Sequence, residues 1–489
     1  MERLKAFLFK NTSQKQTIAK NTVWLFIGEI IGRFLKLVIV VFATRKLGVE
    51  GWGVFSYALA FVSFFYVLGD FGINTFLTRE MSKDGDNKAR YLATAALLKG
   101  GLLGLFFITS LIIGPHRGKI PLGLNTILVF STFFVFESLR EFALSINRSL
   151  EKLEREGLSK IIVNLVITGL GIVLIARNNT PLSLALAYMT GSIIATGVIF
   201  WSIRHEFKGL VWTFSKEHFK TIYDFSWPLI IIGLFSFLFS IDSIMLGQMK
   251  SATEVGLYAA SQRLVQFLLI IPAFIATATF PLFSKEGDDT TRIAIIFEKI
   301  LVSVLGIAIP LTIGGLFFGK HIVLLVLGGS YTAAIPVFTV LLLTTLASFP
   351  NILLTNLIFS KNLQKIFILA SSFGVVVNIG LNFWLIPAYG AIGAAVSTTI
   401  GCMLIMGINW LQIKKFVPFS VAHRMTKIFI ANVCMIFIML AGQLIGLHYV
   451  FGILSAIVAY SFALYMLKEP SLMRVLALIP RKEDPISTH

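Results

Sequence analysis

The chain has 489 residues, of which 56% are hydrophobic and only 13% are charged, whereas soluble domains carry roughly 25% charged residues. A soluble fold cannot bury that much apolar surface, because even large globular domains keep a polar exterior. The composition therefore excludes a soluble protein and predicts one whose surface faces lipid. The net charge of +18 would indicate a nucleic-acid partner on a soluble protein, but its distribution along the chain favours a membrane topology instead.

Apolar segments of about 20 residues, each long enough to cross roughly 30 Å of hydrocarbon as a helix, recur from one end of the chain to the other. Backbone groups in hydrocarbon must pair within their own segment, and nothing here alternates as barrel strands do. The predicted fold class is therefore an all-α polytopic membrane protein of about fourteen helices. Its spans, numbered in chain order, lie at 21–44, 52–74, 91–114, 122–147, 158–176, 182–203, 225–249, 255–281, 293–318, 332–358, 366–386, 391–413, 425–446 and 449–467.

The positive charges predict how these spans are oriented. The N-terminus and the connections on its side of the membrane contain 29 Lys and Arg residues, and the opposite connections contain seven. We therefore expect both termini in the cytoplasm and the protein in the plasma or inner membrane of the cell. Anionic membrane lipids are the expected partner of the excess charge, and nucleic acid is not.

The chain also repeats itself. Two segments within 164–203, NLVITGLGIVLI and GSIIATGVIFWSI, resemble VVNIGLNFWLI and GCMLIMGINWLQI within 375–413, and GWGVFSYA at 51–58 resembles EVGLYAAS at 254–261. Two six-helix lobes related by a pseudo-twofold along the membrane normal, with the substrate between them, are a common transporter plan. We assign 1–203 to an N-terminal lobe, 204–224 to a cytoplasmic linker, 225–413 to a C-terminal lobe, and 414–489 to two further helices and a cytoplasmic tail.

The segment RKLGVEGWGVFSYALAFVSFFYVLGDFGINTFLTRE at 45–80 resembles the start of a polysaccharide-transporter flippase. LYAASQRL at 257–264 and the arrangement of six, six and two helices fit as well, so the resemblance extends over the whole chain. That family belongs to the multidrug/oligosaccharidyl-lipid/polysaccharide (MOP) exporter superfamily. The resemblance implies alternating access and a polyprenyl-(pyro)phosphate-linked oligosaccharide carried from the cytoplasmic to the outer leaflet. We expect a monomer that works with glycan-assembly proteins.

A group of charged residues lies within span 1. Glu29, Arg33 and Lys36 fall at i, i+4 and i+7 and so share one helix face. They either neutralise one another inside a lobe or form a wet cavity face with surplus positive charge, which we favour. Arg263 lies roughly two turns into span 8, the second helix of the C-terminal lobe, although its charged group could instead extend to the membrane interface. Together, Glu29, Arg33, Lys36 and Arg263 are the predicted substrate-binding residues, because Arg grips phosphate with two parallel bonds.

A candidate cation site involves Asp242 in the middle of FLFSIDSIMLG, because a buried carboxylate is usually neutral, paired or a cation ligand. Asn378 and Asn382 are i, i+4 on span 11, and Thr398 follows on span 12. The related lipid II flippases bind sodium with an Asp, an Asn, an acidic residue and a Thr in similar places, but Asn382 stands where that pattern has a carboxylate. Coupling to sodium or protons and simple hydrogen bonding between helices both remain open.

No other cofactor or metal is expected. Cys402 and Cys434 lie inside apolar runs and resemble small core residues. Glu137, Arg140 and Glu141 fit an ion cluster that steadies the inner end of span 4, at i, i+3 and i+4.

Two rival functions compete with this interpretation of the sequence. A multidrug/cation antiporter of the same superfamily would favour an acidic cavity, whereas this one is predicted to be basic. A membrane glycan polymerase or glycosyltransferase would need a sizeable loop outside the membrane, and the short loops contain no paired acidic metal motif or nucleophile elbow. We therefore do not expect an enzyme.

Overall fold

The computed structural model describes residues 14–66, 69, 71–83, 88–114, 119–207, 214–236, 238–285 and 289–467. Within these ranges the regular structure is entirely helical. The helices are α1 (Gln14–Tyr66), α2 (Ile73–Met81), α3 (Lys88–Ile113), α4 (Leu124–Ser149), α5 (Leu153–Arg177), α6 (Pro181–Ile203), α7 (Lys216–Ser236), α8 (Leu238–Met249), α9 (Ala252–Leu268), α10 (Ile270–Lys285), α11 (Thr290–Leu327), α12 (Ile335–Leu342), α13 (Thr344–Ser360), α14 (Gln364–Phe416), α15 (Ala422–Leu444) and α16 (Tyr449–Met466). Short 3-10 helices at Arg204–Phe207 and Gly329–Ala334 connect some of them.

Within the described residues, the fourteen predicted spans fall on these helices, whereas positions 67, 68 and 70 of span 2 and 237 of span 7 lie outside the described residues. In the described part of the chain, nine helical segments are long and apolar enough to cross a membrane. Spans 1 and 2 share α1 and spans 11 and 12 share α14, each pair being separated by a sharp bend and not by a loop. The bends lie at Gly48 and Gly390, whose φ angles are 69° and 57°. Only glycine adopts this left-handed region without strain, so each glycine sets the point where the chain turns between two spans.

The helices form two compact units. The first comprises Met1–Ala260 and Asn382–Ala394, and the second comprises Ser261–Leu381 and Ala395–His489. The core of the first unit joins five helices through one buried residue from each: Phe76, Leu92, Phe142, Ile199 and Ile222. These residues tie the short helix α2 to the ends of α3, α4, α6 and α7 and so hold that end of the unit together.

Close contact between α1 and α5 also shapes the first unit. A Cβ on Gly28 would lie 2.6 Å from the Cα of Gly157, and a Cβ on Gly157 would lie 2.4 Å from the backbone oxygen of Trp24. Gly32, one turn further along α1, faces Asn164 of α5. Small residues spaced four apart let membrane helices approach closely, and this approach brings the charged face of α1 against α5.

The second unit has its own core. Phe283, Phe297, Leu353, Ile413 and Phe419 are fully buried there and join α10, α11, α13 and α14. A smaller cluster, in which Phe318 packs with Met435, Met439 and Ala456, attaches α15 and α16 to α11.

Candidate functional site

The charged side chains on one face of span 1 are partly or fully exposed in the structure. Arg33 Nε donates a hydrogen bond of 2.5 Å to Glu29 Oε1, and these two side chains are 35% and 29% exposed. Lys36, three residues further on the same face, is exposed. A charged side chain in the middle of a membrane costs roughly 3 kcal/mol by insertion scales. Three accessible charged groups within one span therefore fit a face that contacts water.

Lys160 of α5 also belongs to this face, which the sequence alone did not predict. Its Nζ lies 3.3 Å from Glu29 Oε2 and 3.4 Å from Glu156 Oε1. Glu29 and Lys160 are 131 residues apart, so only the close packing at Gly28 and Gly157 brings them together. The carboxylate of Glu29 is thus shared between two cations.

From Lys160 a row of ion pairs continues along the first unit. Glu156 accepts hydrogen bonds of 2.8 and 3.0 Å from Arg148, and Arg148 also lies 3.2 Å from Glu141. Arg140 then pairs with Glu141 at 3.2 Å and with Glu137, which confirms the predicted ion cluster on span 4. We call the full set the charge ladder; its members, in order, are Arg33, Glu29, Lys160, Glu156, Arg148, Glu141, Arg140 and Glu137.

The ladder influences the ionisation of its members outside the predicted spans. Burial alone would raise the pKa of Glu156, but hydrogen bonds and positive charge from Arg148 and Lys160 outweigh burial and hold that pKa below its usual range. Burial opposes the charged form of Arg148 as well, yet Glu156 and Glu141 raise its pKa. Both groups are therefore charged near neutral pH, and their attraction fixes the start of α5 against the end of α4.

Arg263, the remaining residue predicted to bind substrate, lies on α9 in the second unit. It is half-buried, and its Nη1 donates to Gln266 Oε1 at 3.2 Å. Glu29, Arg33 and Lys36 belong to the first unit. That these residues meet Arg263 in one cavity stays a prediction.

Asp242 and Asn382, two members of the candidate cation site, are in contact. Asn382 Nδ2 donates a hydrogen bond of 2.6 Å to Asp242 Oδ1, and both side chains are buried. The other carboxylate oxygen, Oδ2, accepts a bond of 2.5 Å from the hydroxyl of Tyr258. Tyr258 was missed because a phenol carries no charge, although it lies inside the LYAASQRL motif. Both oxygens of Asp242 are thus held by neutral donors.

The other two members of that candidate site, Asn378 and Thr398, belong to the second unit. Both are buried, at 7% and 8% exposure. Asn378 lies one helical turn before Asn382 on α14, as the spacing predicts. Their part in binding a cation remains a prediction. In the described part of the chain, no group of three or more His, Cys, Asp or Glu side chains is placed to hold a metal ion.

A reciprocal contact joins the two copies of the short repeat. Gly53 packs on the backbone of Ala252, since a Cβ there would lie 1.7 Å from the Ala252 oxygen. Gly256 packs in the same way on Val49, where the distance would be 2.0 Å. Gly53 and Gly256 occupy the same position in GWGVFSYA and EVGLYAAS, and Val49 and Ala252 each lie two residues before a copy, so the two contacts are equivalent. This contact lies at the end of the first unit that is predicted to face outward.

Residues 18–286 match the family described as polysaccharide biosynthesis protein, and that region is more than half of the chain. The chain belongs to the polysaccharide biosynthesis protein family. The matched region contains every member of the charge ladder together with Asp242, Tyr258 and Arg263. The family resemblance predicted from 45–80 and 257–264 is thereby confirmed.

A relative of this family member aligns with it over nearly its whole length. The chain is 22% identical over 447 residues to the probable low-salt glycan biosynthesis flippase Agl15 of Haloferax volcanii, with 90% of this chain and 92% of that protein covered. Residues 228–384 also match the MatE family, and this region includes Asn378 and Asn382.

Solved structures show the fold of this family member. A lipid II flippase, MurJ in an inward closed conformation, has a TM-score of 0.76 at 18% identity, covering 94% of this chain and 99% of that one. An inward-facing multidrug resistance MATE family transporter of the MOP superfamily has a TM-score of 0.61 at 14% identity, covering 81% and 98%. The predicted fold class, an all-α multi-pass membrane protein with fourteen spans, is confirmed.

Proposed function

We propose that the protein is a flippase that moves a polyprenyl-(pyro)phosphate-linked oligosaccharide from the cytoplasmic to the outer leaflet by alternating access. The observation that carries this proposal is the charge balance on the accessible face of span 1. Arg33, Lys36 and Lys160 contribute three positive charges, whereas the negative charges beside them are two: Glu29, which pairs with Arg33 and Lys160, and Glu156, which also pairs with Lys160. The face is net positive within a membrane span.

Such a face suits a phosphate ligand. Arg presents a planar fork that binds phosphate oxygens with two parallel hydrogen bonds, and Lys adds a mobile point charge. Water would solvate these groups while no substrate is bound, and phosphate would replace that water on loading. Glu29 then serves to orient Arg33 in the empty state. The name of the Haloferax volcanii relative, a glycan biosynthesis flippase, supports the same class of cargo.

A multidrug/cation antiporter is the second candidate, because Asp242 is a buried acidic group of the kind that could bind a cation. The net positive face of span 1 disfavours this candidate, since cationic drugs would be repelled from it. We propose instead that Asp242, with Asn378, Asn382 and Thr398, holds a coupling sodium ion or proton while the lipid-linked glycan is moved.

Both termini lie in the cytoplasm in this proposal, and the protein resides in the plasma or inner membrane as a monomer beside glycan-assembly proteins. The 29 Lys and Arg residues on the cytoplasmic side then face anionic lipid, which attracts basic segments next to a membrane. No catalytic step is proposed. Substrate binding and release would drive the change between the inward-facing and outward-facing states.

The test is translocation of a fluorescent lipid-linked oligosaccharide in proteoliposomes. We expect the purified protein to make the labelled lipid accessible to a membrane-impermeant quencher on the far side, and an imposed sodium or proton gradient to change the rate. Empty vesicles and vesicles with heat-denatured protein are the controls. Export of cationic dyes without movement of the glycolipid would contradict the proposal and favour the antiporter.

A further inference from the structure

The first three turns of α7, residues 216–227, carry a row of exposed aromatic side chains. Phe219, Tyr223 and Trp227 follow one another at intervals of four residues and are all exposed, so they share one side of the helix. Phe214, which precedes α7, is exposed as well, and its ring lies 5.8 Å from that of Phe219. We call these four residues the aromatic stripe. A contiguous row of exposed apolar groups marks an interaction surface, whereas isolated ones are ordinary.

An adjacent side of these turns is packed against the core of the first unit. Ile222 is buried in that core. The ring of Phe225 lies 5.6 Å from that of Phe76 of α2, and the ring of His218 lies 4.5 Å from that of Tyr91 of α3. These contacts fix the rotation of α7 about its axis, so the aromatic stripe is held at the surface of the unit.

The exposed charges of α7 are ordered around the same helix. A helix turns by roughly 100° per residue, so Lys216 and Lys220 lie near the edge of the aromatic stripe that is remote from the packed side. Glu217 and Asp224 lie beyond the lysines, and all four charged residues are exposed. Around the helix, the packed side is therefore followed by aromatic rings, then by positive charge and then by negative charge.

This order matches a helix that lies at a membrane surface. Trp and Tyr are enriched where hydrocarbon meets water, because their rings are apolar and their polar groups reach the headgroups. Interfacial helices combine such a face with lysines on the polar side, and anionic lipids attract lysines that lie next to the membrane. The carboxylates, placed furthest from the stripe, would remain in water.

Continuity with a membrane span favours lipid over a protein partner as the occupant of this surface. Helix α7 runs from Lys216 to Ser236 and leads directly into predicted span 7, so Trp227 already lies within that span. The other end of the predicted linker carries the same chemistry. Trp201 is exposed at the end of α6, and the guanidinium carbon of Arg204 lies 4.5 Å from its ring centroid. Aromatic rings with nearby cations thus flank the linker on both sides.

We propose that the start of α7 is an interfacial membrane anchor. The aromatic stripe inserts between the lipids of the cytoplasmic leaflet, and Lys216 and Lys220 contact anionic headgroups. Part of the segment 204–224, predicted from the sequence as a cytoplasmic linker, then lies in the headgroup layer. Because the packed side of the same turns contacts α2 and α3, the anchor fixes that end of the first unit to the bilayer surface. The proposal requires only that the protein spans a membrane and not that it moves a glycolipid.

The test is the local environment of spin labels on the full-length protein in lipid nanodiscs. Labels are attached to Phe219→Cys and Tyr223→Cys, in a background where Cys402→Ser and Cys434→Ser remove the native thiols. Oxygen concentrates in the bilayer and a nickel chelate in water, so collision with each reports where the label lies. We expect the ratio of oxygen to nickel collisions to be several times higher at both positions than at the matched control Thr221→Cys, which is exposed on a different side of the same helix.

Lipid composition tests the role of the lysines. In nanodiscs of phosphatidylcholine, the label on Tyr223→Cys should lie closer to water than in nanodiscs that also contain phosphatidylglycerol, because the anionic lipid holds the lysines at the surface. Lys216→Gln combined with Lys220→Gln should abolish this difference. Lys414→Gln combined with Lys415→Gln, which removes two exposed lysines at the end of α14, is the matched control and should preserve it.

Each other outcome overturns the proposal. Equal collision ratios at Phe219→Cys, Tyr223→Cys and Thr221→Cys that are typical of water would leave the stripe to a protein partner. Ratios typical of lipid at all three positions would show a fully embedded helix, which contradicts the order of the charges. The absence of a response to phosphatidylglycerol, or a response that survives the loss of both lysines, would exclude the headgroup contacts. None of these measurements uses translocation, so failure of the flippase function is seen separately.

Discussion

The amide of Asn382 donates a hydrogen bond of 2.6 Å to the carboxylate of Asp242, although the two residues are 140 positions apart in the chain. In the related sodium-binding pattern, a carboxylate takes the place of Asn382. Asn382→Asp would set two carboxylates in direct contact, and two such groups cannot both ionise without a proton or a cation between them. We therefore expect sodium to raise the melting temperature of this variant relative to potassium, by more than it does for the wild type.

The matched control for that experiment is Asn382→Ala. Removing the amide leaves Asp242 Oδ1 without this donor and should cost about 1–3 kcal/mol of stability, with no gain in sodium dependence. Equal responses of Asn382→Asp to sodium and potassium would contradict a cation role for this position.

A second prediction concerns the packing of α1 against α5. Gly28→Ala should destabilise the protein, because the added Cβ would lie 2.6 Å from the Cα of Gly157. Gly104→Ala, in α3, is the matched control, since nothing lies within 4 Å of its added Cβ. Alanine is favoured over glycine inside a helix by roughly 0.5–1 kcal/mol, so this control should raise stability. Melting temperatures that move in the same direction for both variants would contradict the close contact.

Lys160 should be coupled energetically to Glu29. Lys160→Met leaves the carboxylates of Glu29 and Glu156 without a shared cation and should lower stability by about 1–2 kcal/mol, between the values for exposed and buried pairs. Combined with Glu29→Gln in a double-mutant cycle, it should show a coupling energy of at least about 0.5 kcal/mol. Lys152→Met, a half-buried residue just before α5, is the control. Strict additivity of the two ladder variants would show that the ion pair contributes nothing.

The lowered pKa of Glu156 predicts a pH dependence. Its folded-state pKa lies below the usual value of 4.5, because Arg148 and Lys160 outweigh the effect of burial. The stabilisation is therefore complete above that usual value and is lost as the pH falls through the folded-state pKa. Glu156→Gln should melt at a lower temperature than the wild type near pH 7, and the difference should shrink on acidification. A difference that is constant across the acid range would contradict this account.

Much of the fold follows from the sequence for a simple physical reason. A helix must carry about 20 apolar residues to cross a bilayer, so each span is visible in the sequence. Short-range ion pairs are visible too: Glu29 with Arg33 and Glu137 with Arg140 follow from the spacing of one helical turn. The bends at Gly48 and Gly390 were not predicted, because a break in an apolar pattern looks the same whether a loop or a bent helix follows.

Contacts between distant helices could not be predicted in the same way. Lys160 reaches Glu29 only because Gly28 and Gly157 let two backbones approach, and that approach depends on packing and not on local spacing. Tyr258 pairs with Asp242 without carrying a charge that would mark it in an apolar segment. The reciprocal glycine contact of the short repeat could be predicted only in part. The repeat is visible in the sequence, but the contact between its copies is not.

The most direct test of the central claim, that the positive face of span 1 holds the substrate phosphate, is the rate of glycolipid translocation per membrane-inserted molecule. Arg33→Gln and Lys36→Gln should each lower that rate about tenfold or more, because a charge-assisted hydrogen bond is worth roughly 1.5–3 kcal/mol. Arg33→Lys should also lower it, since the charge stays but the two-pronged grip is lost. Arg90→Gln, an exposed residue at the start of α3, should translocate normally. Near-normal specific rates in Arg33→Gln and Lys36→Gln would contradict the account.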